Sequence, residues 1–349
     1  MDKCRGNVAS VALSIAMQVA ARHVTFVFLL ASAVLAQGAA SGSAPYTGPI
    51  IDVHLHAFAV NVQGPPPVGV CVGEAANLAF DAQRPWPETL INLVKKPHCA
   101  KPFWSPTTDE ALRVQTLAEM KRLHIVGVVS GPPERVLDYL SHAPNSVIPG
   151  LEFNMNRFKY TLLDLQKLFE RDGFKVLGEV TDQYDSIAPD DARFDDIWRF
   201  AAEHNVPVAI HLGVGPPGAP YISAGYRAHL HSPFSLEKML VRHPHLRVYA
   251  VHAAWPMMDE LKAMLYSYPQ LYVDTGSLQM ALTRTEYYSF LKNLVDAGFI
   301  DRIMYGTDQI VWPGLIEEGI NAINEAPFLT LQQKKTILHD NAARFFRLR

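Results

Sequence analysis

Short runs of apolar, often β-branched residues alternate along most of the chain with longer segments whose apolar residues recur every three or four positions. The short runs are typical of buried parallel strands, and the longer segments are typical of amphipathic helices. Eight strands are predicted, at residues 50–56, 125–130, 147–153, 175–180, 207–212, 247–252, 271–274 and 302–306. Helices are predicted at residues 109–123, 162–171, 194–204, 236–243, 258–267, 285–297 and 331–346. This regular alternation predicts an α/β fold, a (β/α)8 TIM barrel.

A long insertion follows the first predicted strand and covers residues 57–106. It is rich in proline and is expected to contain little regular structure. Cys71 and Cys99 lie in it, and an oxidising compartment would permit a disulfide between them; a buried free thiol at Cys71 is the alternative. The insertion and the proline-rich residues 214–220 both follow strands that end in candidate ligands. These loops therefore either form the walls of a substrate pocket or only hold the chain in place.

Residues with metal-binding side chains lie at the ends of several predicted strands. His54 and His56 end the first strand, and residues two apart on a strand point to the same face, so both can reach one ion. The fifth, sixth and eighth strands end at or beside His211, His252 and Asp308. Because the C-terminal ends of barrel strands meet at one mouth, we expect these five side chains to lie together.

Imidazole nitrogens with a carboxylate are ligands that suit zinc, and also manganese, iron or cobalt. Such an ion lowers the pKa of bound water towards about 7, and a nearby carboxylate can accept the proton. Cysteine ligands are disfavoured because the sequence has no Cys-x-x-Cys or zinc-finger spacing. We therefore expect a divalent metal ion, zinc first, as the cofactor.

The strand-end motif Asp52-x-His54-x-His56, the later ligand-type residues and the closing residues 341–346 resemble the amidohydrolase superfamily. The nearer resemblance is to its amidohydrolase-related branch, which includes the aminocarboxymuconate-semialdehyde decarboxylase-like proteins, and it covers about residues 48–349. It implies that the metal ligands include His54, His56, His211 and Asp308. It also implies that Asp308 acts as the general base. His252 would polarise the substrate or position the water beside one ion, or bind a second ion.

Glu179, at the end of the fourth predicted strand, leaves two roles open. It either binds the metal or accepts a hydrogen bond from a ligand histidine. Some branches of the superfamily place a bridging carboxylated lysine or a glutamate on this strand, whereas the decarboxylase-like members use one ion without a ligand there. Glu179 is therefore a departure from the decarboxylase-like pattern. Asp52 is expected to lie deeper than His54 and His56 and to support them.

The leading functional hypothesis is a metal-dependent hydrolase in which activated water cleaves an amide, lactone or ester bond of a small molecule. The alternative is a nonoxidative decarboxylase of an aromatic or unsaturated acid that uses the same ion. A noncatalytic binding barrel is disfavoured, because every expected ligand position is occupied.

Composition agrees with one large catalytic domain, since 49% of the 349 residues are hydrophobic. The 31 basic and 34 acidic side chains give a net charge of −3, and no basic cluster is present. Nucleic acid is therefore not an expected partner. The sequence contains no signature of a subunit interface, which leaves homo-oligomer formation open.

The first forty residues have a different pattern. Lys3, Arg5 and Arg22 precede an apolar stretch at residues 24–35, and small residues follow it. This order predicts a secretory leader over residues 1–40, with cleavage near residues 34–36 and export to the periplasm or the medium. The stretch is shorter than the roughly 20 apolar residues of a membrane span, so no span is expected after the leader is removed. An uncleaved anchor over residues 8–35, or a true start at Met17, is the alternative.

Overall fold

The structure is a computed structural model that describes residues 43–75 and 78–348. The predicted leader lies outside these residues. Eight parallel strands form one sheet in the order β1-β4-β5-β6-β7-β8-β9-β10, and β2 and β3 form a separate antiparallel pair. The strands are β1 Ile50–His56, β2 Gly69–Val70, β3 Phe103–Trp104, β4 Ile125–Gly131, β5 Val147–Phe153, β6 Val176–Val180, β7 Val208–His211, β8 Val248–Val251, β9 Leu271–Asp274 and β10 Ile303–Met304. The predicted (β/α)8 barrel is confirmed.

The barrel closes between its first and last strands through a few individual hydrogen bonds. Val53 N donates to Tyr305 O at 2.9 Å, and Asp308 N donates to His54 O at 2.8 Å. We call this junction the β1/β10 seam. The eighth barrel strand is shorter than predicted, because its regular pairing with β9 ends at Met304, before the chain reaches Thr307 and Asp308 at the mouth.

Helices cover the outside of the barrel and follow most of its strands. Several begin at a threonine whose hydroxyl accepts a backbone N–H of the first turn, as Thr108, Thr161 and Thr330 do. The α-helices are Trp86–Lys95, Asp109–Arg122, Pro133–His142, Leu162–Gln166, Asp195–Glu203, Ala219–Ile222, Glu237–Arg242, Met258–Ser267, Leu278–Ala281, Arg284–Asp296, Leu315–Asn324, Leu331–Lys335 and Asn341–Phe346. One π-helical turn, Lys167–Arg171, extends Leu162–Gln166, and another, Thr336–Asp340, joins the last two helices.

The buried apolar residues form two main layers. One layer fills the barrel, where Val128, Val176 and Tyr249 pack above Phe345 of the last helix. The other lies between the strands and the helices and includes Leu151 and Phe153 of β5. Along β5 successive residues therefore face opposite layers, which directs alternate side chains into the mouth. Irregularities between Asp52 and Leu55 of β1 and between Leu177 and Val180 of β6 shift this alternation.

The insertion after β1 contains more regular structure than predicted. It holds the β2/β3 pair, the helix Trp86–Lys95 and a disulfide between Cys71 and Cys99, whose Cα atoms are 5.9 Å apart. The helix escaped prediction because prolines flank its first residue, although proline fits the first turn of a helix. The helices Pro133–His142 and Leu315–Asn324 were also not predicted; both begin at or shortly after a proline.

No helix within residues 43–75 and 78–348 combines the length and the apolar character that crossing a membrane requires.

Candidate metal centre

The six residues proposed for the site come together at the C-terminal mouth of the barrel. None of these six residues is exposed by more than 8%. They lie on or just after five strands and are His54, His56, Glu179, His211, His252 and Asp308. Burying this many ionisable groups is costly unless they are paired or bind an ion.

His54, His56 and Asp308 form the first of two clusters. His54 Nε2 and His56 Nε2 lie 3.0 Å apart, and Asp308 Oδ1 lies 3.1 Å from His56 Nε2 and 3.8 Å from His54 Nε2. Ligand atoms about 2.0–2.1 Å from one zinc ion lie at most about 4 Å from each other. The three atoms therefore fit around a single ion.

Glu179, His211 and His252 form the second cluster. Glu179 Oε1 lies 2.6 Å from His211 Nδ1 and 3.4 Å from His252 Nε2, and the two ring nitrogens are 3.1 Å apart. These separations also match the ligand set of one ion.

The second carboxylate oxygen of Glu179 faces the first cluster. Glu179 Oε2 lies 3.7 Å from His54 Nε2 and 3.8 Å from His56 Nε2. Burial alone would raise the pKa of Glu179, but hydrogen bonding and charge from His211 hold that pKa well below its usual value. Glu179 is therefore a carboxylate with one oxygen at each cluster.

The electrostatics of the first cluster favour a positive charge. Burial lowers the pKa of His54, yet the charges of Asp308 and Asp274 raise this pKa well above its usual value. Burial would raise the pKa of Asp308, but His54 and His56 lower it to about 2. A divalent cation can supply this positive charge in place of protons on the histidines, so the donor set fits a metal ion.

Hydrogen bonds to the far ring nitrogens orient two of the histidines. His54 Nδ1 donates to Asp274 Oδ2 at 3.0 Å, and His252 Nδ1 donates to the Gly276 carbonyl at 2.9 Å. Since carboxylates and carbonyls only accept, Nδ1 carries a proton in both rings, which leaves Nε2 to bind an ion. The Tyr184 hydroxyl lies 3.2 Å from His211 Nε2 and provides the comparable partner for the third ring.

Asp274, at the end of β9, is a site residue that the sequence analysis missed. It is fully buried, and its Oδ1 accepts from the backbone N–H groups of His252 at 2.8 Å and Gly276 at 2.9 Å. Its other oxygen accepts from His54. Its signal in the sequence was an acidic residue at a predicted strand end, the same feature that identified Asp308.

Asp52 lies deeper than the two histidines, in the supporting position predicted for it. Its carboxylate accepts from His54 N and Thr307 N, each at 3.0 Å, and from the Thr307 hydroxyl. Burial raises the pKa of Asp52 to about 7. These contacts connect β1 with the chain after β10 and fix the positions of His54 and Asp308.

Two of the six residues have left-handed backbone conformations. The φ angle is 60° at His252 and 55° at Asp308. Such conformations are uncommon for residues other than glycine and concentrate at functional sites, where neighbouring contacts maintain them.

His231 lies beside the second cluster and is fully buried. Among the residues that the structure describes, neither of its ring nitrogens has a hydrogen-bond partner. Its ring lies 5.3 Å from the rings of Tyr184 and His211 and 4.9 Å from that of Tyr226, measured between centroids. Burial, assisted by the charge of His211, lowers the pKa of His231 to about 3.

We expect His231→Phe to increase the free energy of unfolding by about 1 kcal/mol or more, because it removes buried polar atoms that lack partners. The unfolded chain protonates His231 below about pH 6.5 but the folded chain does not, so this histidine costs stability as the pH falls from about 6.5 towards 3. The contribution of His231 to the change of unfolding free energy with pH is at most about 1.4 kcal/mol per pH unit, and the variant should lose this contribution. Urea unfolding at several pH values measures both effects. His229→Gln, at an exposed residue of the same turn, is the control; a less stable His231→Phe protein would contradict the prediction.

The two long loops near the mouth contact each other through aromatic side chains. Trp86 of the insertion stacks on Tyr221 with ring centroids 5.5 Å apart, and Phe80 lies 5.1 Å from both rings. Gly218 approaches the Trp86 ring so closely that a Cβ atom there would overlap it. The insertion and the loop after β7 therefore pack as one unit.

Comparison with known proteins agrees with this architecture. A family model described as Amidohydrolase matches residues 51–348, whereas no curated protein sequence matches the chain. An uncharacterized TIM-barrel protein from Bordetella bronchiseptica has 18% identity and a TM-score of 0.59, with 86% of this chain and 99% of that chain covered. A probable 2-pyrone-4,6-dicarboxylic acid hydrolase from Acinetobacter baumannii has 14% identity and a TM-score of 0.55, with 86% and 100% covered.

A third similar structure is the 5-carboxyvanillate decarboxylase from Novosphingobium aromaticivorans, complexed with manganese and 4-hydroxy-3-methoxy-5-nitrobenzoic acid. It has 15% identity and a TM-score of 0.52, with 87% of this chain and 99% of that chain covered. At these identities the likeness concerns the fold alone.

Proposed function

Because the chain belongs to the amidohydrolase family, we propose that it is a metal-dependent hydrolase that cleaves an amide, lactone or ester bond of a small molecule. The single observation that carries this choice is the position of Glu179, whose two oxygens face the two histidine clusters. A carboxylate placed in this way suits two ions, and paired ions are common in hydrolytic sites.

The proposed ligands are His54, His56 and Asp308 for one ion and His211 and His252 for the other, with Glu179 shared between them. Zinc is the first choice, because imidazole and carboxylate ligands suit it, and manganese is the alternative. When bound, such ions polarise a carbonyl group and lower the pKa of water towards about 7.

Asp308 is the proposed proton acceptor. His54 and His56 lower its pKa, so the Asp308 side chain is an ionised carboxylate in the neutral range, which is the form that a general base requires. The hydrogen bond from Asp308 N to His54 O fixes this residue over the first cluster. Asp274 and the Gly276 carbonyl hold the His54 and His252 rings, which keeps the ligand atoms directed into the mouth.

A nonoxidative decarboxylase of an aromatic or unsaturated acid is the second candidate. The similarity to a 5-carboxyvanillate decarboxylase favours it at the level of the fold. In such an enzyme, the first cluster would be sufficient for the ion, and Glu179 would only accept a hydrogen bond from His211.

The products separate these two functions. Protein loaded with zinc or with manganese is offered a panel of amides, lactones, esters and aromatic acids, while acid release and carbon dioxide are measured in parallel. We expect acid release without carbon dioxide. We expect Glu179→Gln to lower acid release at least about a hundredfold, because losing a group that only orients metal ligands already costs up to about that much. Glu203→Gln, at an exposed residue of an outer helix, is the control. Stoichiometric carbon dioxide would establish the decarboxylase instead.

We also propose that residues 1–40 are a leader and that the barrel is exported. The Cys71–Cys99 disulfide supports this proposal, because disulfides persist mainly in oxidising compartments. Mass spectrometry of the mature protein would test it, and an intact N-terminus in the cytosolic fraction would contradict it.

A further inference from the structure

We propose that Glu152 contacts the substrate and selects molecules that present an N–H or O–H donor over molecules that present a carboxylate at the same place. The inference rests on the proposed hydrolase function, because it specifies which substrates the same mouth accepts. Glu152 was not among the residues predicted for the site.

Strand alternation directs Glu152 into the barrel mouth. Its neighbours Leu151 and Phe153 both pack in the outer layer of the core, so the side chain between them points inward. On the adjoining strand, Leu177 pairs with Leu151 and Val180 pairs with Phe153, with a register shift between the two pairs. Glu152 therefore lies beside the Gly178-Glu179 segment, on the strand next to the one that carries the shared carboxylate.

The Glu152 carboxyl group is buried but has no partner. It is 8% exposed, and within residues 43–75 and 78–348 no group forms a hydrogen bond or an ion pair with it. Burial raises its pKa to about 7, while His56 lowers this pKa and Glu179 raises it. A buried polar group without a partner is unfavourable, and such groups in native proteins commonly have a functional role.

The balance of charge in the mouth explains which ligand groups would suit Glu152. The ligands proposed for the ions include the carboxylates of Glu179 and Asp308, which leaves Glu152 as a carboxyl group of the mouth that no ion is proposed to use. In the described part of the chain the only buried Lys or Arg is Lys334, which donates to the carbonyls of Ser43 and Ala44. The positive charges that act on Glu152 are those of His56, a proposed metal ligand, and of Arg157, which is exposed.

A substrate carboxylate beside Glu152 would consequently meet a second carboxyl group and, among the described residues, no buried Lys or Arg side chain. An amide N–H, a hydroxyl or an ammonium group there would donate to the Glu152 oxygens, which accept hydrogen bonds whether or not the group is protonated. This favours amides and hydroxylated or amino-substituted esters and lactones over dicarboxylic acids.

Three probes that share one ring and differ only in their head group test the inference: benzamidinium, benzamide and benzoate. Their affinities are measured by calorimetry for the zinc-loaded full chain, for Glu152→Gln and for the control Glu203→Gln. Elemental analysis confirms that all three proteins bind the same amount of metal. Because benzoate can also bind an ion directly, the quantity compared is the ratio of benzamidinium affinity to benzoate affinity.

We expect Glu152→Gln to lower this ratio about tenfold or more, because a charge-assisted hydrogen bond and a like-charge repulsion are both lost. The control should leave the ratio unchanged. A change smaller than about threefold, or no binding of any probe, would overturn the inference. If the ratio depends on Glu152 but no substrate is hydrolysed, only the proposed function fails; if hydrolysis occurs with an unchanged ratio, only the role of Glu152 fails.

Discussion

Replacing both His54 and His56 by alanine is expected to remove the metal ion of the first cluster and to lower kcat/KM by about a thousandfold. An active-site ion supplies several kcal/mol of transition-state stabilisation, and each 1.36 kcal/mol corresponds to a factor of ten. Asp308 cannot retain an ion alone, because His54 and His56 provide two of the three ligand atoms of this cluster. The backbone of β1 should persist, since its hydrogen bonds involve none of the deleted atoms.

Elemental analysis of protein purified without chelator measures this effect. We expect about two ions per chain in the wild-type protein and about one in the double variant, which would keep Glu179, His211 and His252. His142→Ala, at an exposed helix end, is the matched control and should retain both ions. A wild-type protein that holds no metal and gains no activity on reconstitution would refute the metal-dependent mechanism. A single ion would instead favour the mononuclear arrangement, with Glu179 as a hydrogen-bond partner.

Asp274→Asn is expected to weaken metal binding by about 10- to 100-fold without unfolding the protein, the usual effect of losing a partner that orients a metal ligand. Asparagine has nearly the same shape, and its one carbonyl oxygen can still accept from both His252 N and Gly276 N, which donate to the same oxygen of Asp274. Its amide nitrogen would then face His54 Nδ1 and donate to it. That change would move the ring proton of His54 to Nε2, the atom that must be free to bind an ion.

Competition with a chelator of known affinity gives the metal affinity, and thermal unfolding of the metal-free proteins gives their stability. Asp274→Ala is a useful second variant, because it leaves three buried N–H donors without an acceptor. Each unsatisfied donor lowers the free energy of unfolding by about 1–3 kcal/mol. It should therefore lose stability as well as metal affinity. Unchanged affinity in the Asp274→Asn protein would show that Asp274 has only a structural role.

The sequence predicted the barrel well because burial on both faces leaves a distinct pattern of short apolar runs. The boundaries of β1, β5 and β9 agree with the prediction, and the other barrel strands differ by one or two residues at their ends. Polar side chains that close such runs are conspicuous, which is why His54, His211 and Asp308 could be identified. Their meeting follows from the fold alone, since parallel strands end at one mouth.

Asp274 and Glu152 were not identified, because an acidic residue at a strand end can face the mouth, cap a helix or lie in solvent. Only the register of the strands in the structure distinguishes these three positions of an acidic side chain. For Glu152, the register shift between β5 and β6 places the residue beside Glu179. The helix in the insertion was missed for a different reason. Its buried residues are Trp86 and Val94, which are too far apart to form a helical pattern by themselves. The helix can be predicted only if the prolines beside Trp86 are interpreted as its start.

The β1/β10 seam has a consequence for how the native protein opens. All the remaining neighbouring strands of the barrel are joined by regular backbone pairing. The seam instead depends on isolated bonds such as Val53 N to Tyr305 O and on the Asp52 contacts with Thr307. Transient opening of the folded barrel should therefore begin at the seam, so the amide hydrogens of Val53 and Asp308 should exchange with solvent before those of β7. An ion held by His54 and Asp308 would span the same junction, and its binding would slow that exchange.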